Sequence, residues 1–162
     1  MKTPIRAAVI TVSDACSRGE RADDSGAALV ELLSESGAEV VETRILSDDL
    51  EPLVQTLESL AARADVNLIV TTGGTGLGPR DNTPEATRRV IEREAPGIAE
   101  TIRAESLKVT PMAMISRGVA GVASGTLIIN LPGSPKAVRE SFAVIKPVLA
   151  HSVDLLAGHT RH

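Results

Sequence analysis

The sequence predicts an α/β fold of three layers, with a mainly parallel central sheet between two layers of helices. Apolar segments typical of buried strands alternate along the chain with segments of helical periodicity. The residues that directly follow each strand segment are small, polar or acidic, as at the carboxyl edge of a parallel sheet. No repeat, low-complexity tract or linker interrupts this alternation. We therefore expect a single domain over residues 1–158 and a frayed tail over residues 159–162.

The first elements are predicted from apolar patterns and from residues that begin or end helices. Arg6–Val12 is a nearly continuous apolar run, typical of a strand buried on both faces. Asp24 or Ser25 is expected to cap the next helix, and Gly37 to end it. Glu39–Leu46 alternates between apolar and polar residues, which predicts the second strand.

The middle of the chain predicts a helix, a strand and two more helices. Asp49 is expected to cap a helix over about residues 51–63, where leucines recur at helical spacing. The third strand is predicted at residues 67–72. A helix over residues 84–94, ended by a Pro-Gly pair, and another helix over residues 98–108 follow it.

The last third of the chain is predicted less completely. Residues 111–121 show no clear periodicity, because two glycines interrupt their apolar side chains. Thr126–Leu131 predicts the last strand, and the Pro-Gly-Ser-Pro segment over residues 132–135 predicts a sharp turn. The final helix is predicted over residues 136–157, and we expect Pro147 to disturb it.

The composition argues against several classes of protein. The chain has 162 residues, 17 basic and 21 acidic side chains and a net charge of −4, so it lacks the basic surface typical of DNA or RNA binding. Trp and Tyr are absent and Phe142 is the only Phe, which argues against stacking of single-stranded nucleic acid. Cys16 is the only cysteine, so no internal disulfide can form. The first apolar run is too short for a signal peptide or a membrane span, so we expect a cytoplasmic protein without a membrane partner.

The most informative segment is a glycine-rich loop after the third strand, which reads Thr-Thr-Gly-Gly-Thr-Gly-Leu-Gly-Pro-Arg-Asp-Asn over residues 71–82. Glycines permit the close approach of backbone N–H groups to a phosphate, and a tight strand-to-helix turn is the alternative. The loop lacks the Gly-Lys-Ser/Thr of a Walker A motif and the glycine spacing of a dinucleotide fingerprint. The residues expected to bind phosphate here are Thr72, Gly73, Gly74, Thr75 and Gly76.

Two acids follow predicted strands at the same edge of the sheet. Asp48 follows the second strand, and Asp81 lies at the end of the glycine-rich loop. In phosphate sites Mg²⁺ uses one or two carboxylates together with phosphate oxygens, so these acids predict a magnesium site. For Asp81, capping of the helix that begins near Thr83 is the alternative.

Further polar residues follow the first and last strands or lie near the loop. Asn130 and Gly133, at or just after the end of the last strand, are expected beside the glycine-rich loop, with a simple turn as the alternative. Ser13 follows the first strand, and Pro132 follows the last. Arg80 adds a cation to the loop. Ser106 and Lys108 stand just before Pro111, where the polar end of a helix is the alternative, since lysine is favoured there by the helix dipole.

Three motifs in order resemble one known family. They are the glycine-rich loop with Arg-Asp-x-Thr-Pro-Glu-Ala-Thr over residues 80–87, Ser-Leu-Lys-Val-Thr-Pro-Met-Ala-Met over residues 106–114, and Ile-Asn-Leu-Pro-Gly-Ser-Pro over residues 129–135. They are similar to the molybdopterin adenylyltransferases of molybdenum-cofactor biosynthesis, whose domain also occurs as the G domain of gephyrin. The resemblance covers residues 6–157.

The resemblance implies an activity, a cofactor and partners. The chain would be a single molybdopterin-binding domain that adenylylates molybdopterin, with ATP as substrate and Mg²⁺ as cofactor, and would release pyrophosphate. A homotrimer and a molybdenum-insertion enzyme as partner are also implied.

The resemblance also implies roles for the candidate residues. Asp48 and Asp81 match the family's essential acids, which would be catalytic and bind Mg²⁺. The glycine-rich loop, together with the residues after the first and last strands, would bind the nucleotide. Arg80, Ser106 and Lys108 would lie on the molybdopterin side.

Three alternatives remain at this stage. The chain could be a paralogue that binds molybdopterin as a carrier or protective protein without catalysis. A GTP-binding polymer protein shares the Gly-Gly-Thr-Gly pattern, but the chain is too short for its second domain. The molybdenum-insertion enzyme shares this domain, but it carries further domains for which the chain has no room.

Overall fold

The structure is a computed structural model and describes residues 2–160. Its strands are β1 (Arg6–Val12), β2 (Glu39–Leu46), β3 (Leu68–Thr72), β4 (Arg93–Glu94), β5 (Ala120–Ala123) and β6 (Thr126–Leu131). Its α-helices are α1 (Asp14–Ser17), α2 (Asp24–Glu35), α3 (Leu50–Ala61), α4 (Thr83–Val90), α5 (Pro96–Leu107) and α6 (Pro135–Leu156), and a 3₁₀ helix spans Pro111–Ile115.

The six strands form one sheet in the order β2-β1-β3-β6-β5-β4. The four strands β2, β1, β3 and β6 are parallel, whereas β5 is antiparallel to β6 and β4 is antiparallel to β5. The predicted mainly parallel sheet is therefore confirmed, with an antiparallel pair added at one edge.

Two hydrophobic cores lie on opposite faces of the sheet. One packs helices α2, α5 and α6 against alternate strand residues such as Val9, Val70 and Ile129. The other packs α3 and α4 against the intervening residues, which include Ile10 and Ile69. Side chains alternate between the two faces of the sheet along each strand, so the central strands contribute to both cores. With helices packed on both faces, the predicted three layers are confirmed.

The boundaries of several predicted elements agree closely with the structure. β1, β2 and β6 begin and end where the apolar patterns predicted. Gly37 and Gly158 end α2 and α6 in the left-handed region, with φ of +87° at both. At the start of α2 the capping side chain is that of Asp23, which accepts the N–H of Gly26, rather than that of Asp24 or Ser25.

Two helix predictions near the middle of the chain were wrong in their boundaries. The helix predicted over residues 84–94 ends at Val90, and Arg93–Glu94 instead forms strand β4 beside β5. Pro96 begins α5 rather than ending the previous helix, because proline fits the first turn of a helix, where its missing N–H is not needed.

The ambiguous region and the long final helix are also resolved. Residues 111–121 contain the 3₁₀ helix and the start of β5. The prediction that Pro147 disturbs the last helix was wrong, since α6 is a single helix of 22 residues. Pro147 and Ala143, four residues earlier, are both exposed, so water can bind the carbonyl that the proline leaves free.

After Gly158, His159 contacts the end of α6 and the start of the chain. The N–H of His159 donates to the carbonyl of Asp154 at 3.0 Å, and its Nδ1 lies 3.3 Å from Oγ1 of Thr3. Of the predicted tail over residues 159–162, Arg161 and His162 lie outside the described residues. None of the helices in residues 2–160 combines the length and apolar character needed to cross a bilayer.

Candidate functional site

The predicted strand-end residues meet at a cavity of about 510 Å³ at the carboxyl edge of the sheet. The connection from β1 runs to β2 on one side, and β3 returns to the other side, so the strand order reverses between β1 and β3. Such reversal points are where open α/β sheets bind ligands. The predicted residues that line this first cavity are Ser13, Asp48, Thr72, Gly73, Gly74, Asp81 and Gly133.

The first two glycines of the loop have no room for a side chain. Gly73 and Gly74 have φ of +97° and +67°, in the left-handed region. A Cβ on Gly73 would lie 2.3 Å from the carbonyl oxygen of Val12, and one on Gly74 would lie 2.3 Å from Oγ1 of Thr83. The loop therefore packs directly against β1 and the start of α4.

The loop leaves a row of backbone donors without partners. The N–H of Gly73 donates to Leu131 and that of Gly78 to the carboxylate of Asp81. Within residues 2–160, the N–H groups of residues 74–77 donate to no protein acceptor. Successive unpaired N–H groups form a site for an anion, as expected for phosphate binding.

Asp48 is held at one carboxylate oxygen. Its Oδ2 accepts the N–H of Asp14 at 2.9 Å, and its own N–H donates to Oδ1 of Asp14 at 3.0 Å. Burial raises the pKa of Asp48, the N–H bond to Asp14 opposes the rise, and the charges of Asp14 and Asp81 add to it. The negative field around Asp48 would favour a cation in the cavity.

Asp81 closes the far end of the loop. Its Oδ2 accepts the N–H of Gly78 at 2.8 Å, and a Cβ on Gly76 or Gly78 would come within 2.9 or 2.8 Å of that oxygen. Asp81 does not cap α4, whose N-cap residue is Asn82 without a side-chain cap bond. The capping alternative for Asp81 is therefore not supported, and its carboxylate caps the turn of the loop itself.

The two acids fit a small divalent cation that also binds phosphate. Asp48 and Asp81 line the same cavity, and within residues 2–160 no protein donor binds Oδ1 of either one. The described residues hold no group of three His, Cys, Asp or Glu side chains placed for a metal. A pair of carboxylates completed by phosphate oxygens and water is the usual donor set for Mg²⁺.

A second cavity of about 310 Å³ adjoins the glycine-rich loop. The predicted residues that line it are Thr75, Gly76, Ser106 and Pro132. Its wall includes the apolar side chains of Met112 and Ile115, and Glu140 adds a carboxylate. Ser134, the N-cap residue of α6, lines both cavities. Residues 73–74 thus line the first cavity, residues 75–76 line the second, and Ser134 lines both, so the two cavities adjoin.

Three predicted site residues line neither cavity. Asn130 is buried, and its amide binds Oγ1 of Thr71, Oγ1 of Thr87 and the N–H of Val119, which leaves it no free group. The ammonium group of Lys108 is exposed and pairs with Glu105, three residues earlier.

Arg80 is the third, and it binds acids rather than facing a cavity. Its guanidinium donates to both oxygens of Asp14, at 2.7 and 3.0 Å, and to Asp49 at 3.0 Å. These bonds hold the pKa of Asp14 well below its usual range. Arg80 thus joins the end of the glycine-rich loop to the segments after β1 and β2.

Two residues of the site were not among the predicted site residues. Asp14 follows β1 after Ser13, and this strand-end position marked it without assigning it a role. The guanidinium of Arg117 donates to the glycine-rich loop at the carbonyls of Gly76 and Asp81. An isolated arginine in a segment without periodicity gave no signal of that contact.

Comparisons with known proteins identify the family of this chain. Residues 8–151 match the model of the family described as "Probable molybdopterin binding domain". Molybdopterin adenylyltransferase of Helicobacter pylori strain J99 is 40% identical over 157 residues, which is 96% of this chain and 89% of that protein. The Molybdenum cofactor synthesis protein cinnamon of Drosophila melanogaster is 44% identical over 91% of this chain, which spans 25% of that protein.

A solved structure shows the same fold at similar identity. The molybdopterin biosynthesis enzyme MoaB from Thermus thermophilus superposes with a TM-score of 0.89 at 48% identity. The superposition covers 95% of this chain and 97% of the MoaB chain. The family model and these relatives extend over nearly all of the sheet and both cavities. The chain therefore belongs to the family of molybdopterin-binding domains.

Proposed function

We propose that this protein transfers the adenylyl group of ATP to molybdopterin and releases pyrophosphate. The observation that carries the proposal is the glycine-rich loop between two adjoining cavities, one lined by Asp48 and Asp81 and the other by Ser106. Two ligands that each reached the loop would bring their phosphates together there. The relatives named molybdopterin adenylyltransferase support this choice of substrates.

In the proposed reaction, an oxygen of the terminal phosphate of molybdopterin attacks the α-phosphorus of ATP. A new P–O bond forms there as the bond between the α-phosphorus and the pyrophosphate breaks. The unpaired N–H groups of residues 74–77 would bind phosphate oxygens and stabilise the charge that develops on them. No protein nucleophile is needed, because transfer between two phosphates depends on positioning and charge neutralisation.

Asp48 and Asp81 would hold Mg²⁺ in the first cavity. The cation would neutralise charge on the phosphates when it is bound. Asp14 orients Asp48 through their two reciprocal bonds, and Gly78 orients Asp81. Each acid thus has one oxygen fixed by a backbone N–H, with its other oxygen free to bind the cation.

The remaining site residues have supporting roles in this proposal. Ser13, Thr72 and Gly133 would line the nucleotide side, and Ser106 with Pro132 the molybdopterin side. Arg80 and Lys108 would reach molybdopterin only by leaving their present acidic partners.

The test is incubation of the purified protein with Mg-ATP and molybdopterin, followed by mass analysis of the small molecules. Adenylyl-molybdopterin and pyrophosphate should appear in equal amounts. Molybdopterin that binds without any adenylylated product would instead identify the chain as a carrier or protective protein. Magnesium should be required, and its removal by EDTA should stop the reaction.

A matched pair of variants separates the role of Asp81 from a structural one. Asp81→Asn keeps an oxygen that can accept the N–H of Gly78 and removes the charge. We expect kcat to fall by about 100-fold or more, since metal and charge stabilisation are worth several kcal/mol. Asp65→Asn, on an exposed acid paired with Arg63, is the control and should keep wild-type activity.

We also propose that the chain forms a homotrimer in the cytoplasm and passes its product to a molybdenum-insertion enzyme. The support for self-association is a set of exposed apolar side chains that begins at the last residue of α5, namely Leu107, Val109, Met112, Met114 and Ile115. Light scattering coupled to size-exclusion chromatography should report the mass of three chains. Met114→Glu should lower that mass if this segment lies in the contact.

A further inference from the structure

Arg117 binds the glycine-rich loop at three carbonyl groups. Its Nε donates to the carbonyl of Gly76 at 2.7 Å, and its Nη2 donates to the carbonyl of Asp81 at 2.8 Å. Its backbone N–H donates to the carbonyl of Thr75 at 2.8 Å. Both ends of the loop segment 75–81 are therefore attached to one residue of the segment between the 3₁₀ helix and β5.

The guanidinium of Arg117 is itself held by Glu85. Its Nη1 donates to Oε1 of Glu85, on the first turn of α4, and its Nη2 approaches the other carboxylate oxygen at 3.5 Å. This bond lowers the pKa of Glu85. The positive charge of Arg117 is thus paired with a carboxylate, and its remaining donors are directed at carbonyl oxygens.

The direction of these carbonyls decides the direction of the neighbouring N–H groups. The C=O and N–H of a trans peptide point in opposite directions, and the described residues contain no cis peptide. Because the carbonyls of Thr75 and Gly76 point at Arg117, the N–H groups of Gly76 and Leu77 point away from it. These are two of the four loop N–H groups that have no acceptor within residues 2–160.

We propose that Arg117 is a positioning residue of the phosphate-binding loop, which directs the N–H groups of Gly76 and Leu77 toward the bound phosphate and fixes the backbone of Asp81. Arginine suits this role because its planar fork can bind two carbonyls in fixed directions while a carboxylate holds its third side. A lysine would supply one point charge in place of this fork. The inference rests on the proposed function for the identity of the ligand as a phosphate.

The rival role is direct attraction of phosphate by the charge of Arg117. Lysine distinguishes the two roles. Arg117→Lys keeps the charge, which direct attraction needs, and loses the fork, which positioning needs. Arg117→Gln loses both. Arg63→Gln is the matched control, because Arg63 has nearly the same side-chain exposure, 34% against 33%, and pairs with Glu42 and Asp65 near the opposite edge of the sheet.

The experiment measures the ligand-free protein first. Hydrogen–deuterium exchange is followed for a peptide that covers residues 73–83, and binding of inorganic tripolyphosphate is measured by calorimetry. We expect this peptide to exchange faster in both Arg117 variants. We also expect both variants to bind tripolyphosphate roughly 10–100-fold more weakly, because a small displacement of positioned groups can cost a factor of that size. Arg63→Gln should match the wild type in both measurements.

A kinetic arm then separates positioning from a general loss of stability. In adenylyl transfer, both Arg117 variants should raise KM for ATP and lower kcat, whereas Arg63→Gln should change neither. Added ethylguanidinium should partly restore activity to Arg117→Ala by replacing the fork. If the wild type makes no product, the proposed function fails, and the exchange and tripolyphosphate measurements still decide the role of Arg117.

Two results would overturn the inference. Wild-type tripolyphosphate affinity in Arg117→Lys combined with weak binding in Arg117→Gln would assign the residue to charge attraction. Unchanged loop exchange in both variants would show that Arg117 does not hold the loop. If Arg117→Gln fails to fold, Arg117→Lys is measured alone, and wild-type exchange in residues 73–83 of that variant would equally contradict the proposal.

Discussion

Asp14 and Asp48 bind each other's backbone N–H groups through their carboxylates, at 3.0 and 2.9 Å. The pair joins the start of α1, just after β1, to the segment after β2. Arg80 donates to both oxygens of Asp14, so a cation offsets one of the two adjacent negative charges. Asp48 thereby keeps a fixed direction in a place where another acid would otherwise repel it.

We expect Asp14→Ala to weaken magnesium-dependent activity without removing any group that contacts the substrates. Partners of metal-binding groups contribute about 10–100-fold to metal affinity, and the concentration of Mg²⁺ at half-maximal activity should rise by about that factor. Asp49→Asn is the control, since it removes the other acidic partner of Arg80 and leaves Asp48 untouched. An unchanged magnesium requirement in Asp14→Ala would contradict this role.

We expect Asp48→Asn to be inactive but more stable than the wild type at neutral pH. The fold raises the pKa of Asp48 above its unfolded value, so the folded state binds the proton more tightly and the ionised form opposes folding. This penalty is present at pH values above the folded pKa and is lost as the pH falls through it. Asparagine avoids the penalty and can still accept the N–H of Asp14.

The difference in melting temperature between Asp48→Asn and the wild type should therefore be positive at neutral pH and shrink toward acid. It is measured with EDTA present, because a bound cation would stabilise the ionised wild type. A variant that is less stable than the wild type at every pH would show that Asp48 carries no such penalty.

Gly73→Ala and Gly37→Ala form a matched pair at similar positive φ, +97° and +87°. A Cβ on Gly37 would meet nothing within 4 Å, so that variant should lose only about 1–2 kcal/mol, the cost of the left-handed conformation. A Cβ on Gly73 would meet the carbonyl of Val12 at 2.3 Å, which adds roughly 1–3 kcal/mol of overpacking.

Denaturant unfolding measures this difference, and tripolyphosphate binding measures its effect on the site. Only Gly73→Ala should lose affinity, because only that change displaces the loop. Equal stability losses in the two variants would indicate that the loop has room beside β1.

We expect Asn130→Ala to lower stability far more than it lowers affinity for ATP. The variant leaves the buried N–H of Val119 without a partner and opens a small cavity, which should cost about 2–4 kcal/mol in the free energy of unfolding. KM for ATP, measured at a temperature where the variant is folded, should stay within about threefold of the wild type. A large rise in KM at full folding would instead assign Asn130 to nucleotide contact.

Local patterns predicted most of the sheet, because apolar runs and helix-ending glycines act within a few residues. β4 was not predicted, because Arg93 and Glu94 form a strand only through pairing with Val122 and Gly121. Gly121 permits that pairing, since a Cβ there would lie 2.6 Å from the carbonyl of Arg93. A partner almost thirty positions away leaves no mark on the local sequence.

The site was predicted where backbone conformation and strand ends determine it. The glycine-rich loop and the acids Asp48 and Asp81 fall together because parallel strands share a carboxyl edge. Asn130 also stands near that edge, but its side chain turns to Thr87 in the layer below. Whether a strand residue faces a cavity or a helix depends on packing that the sequence pattern alone does not give.

Phe142 is buried on the inner face of α6, and no Trp or Tyr accompanies it. The polypeptide therefore has almost no near-ultraviolet absorbance and no intrinsic indole or phenol emission. Adenine and pterin rings are strong chromophores, so any signal in that region of a titration comes from the ligand. Near-ultraviolet absorbance and fluorescence of this protein therefore report on its bound molecules with almost no contribution from the polypeptide.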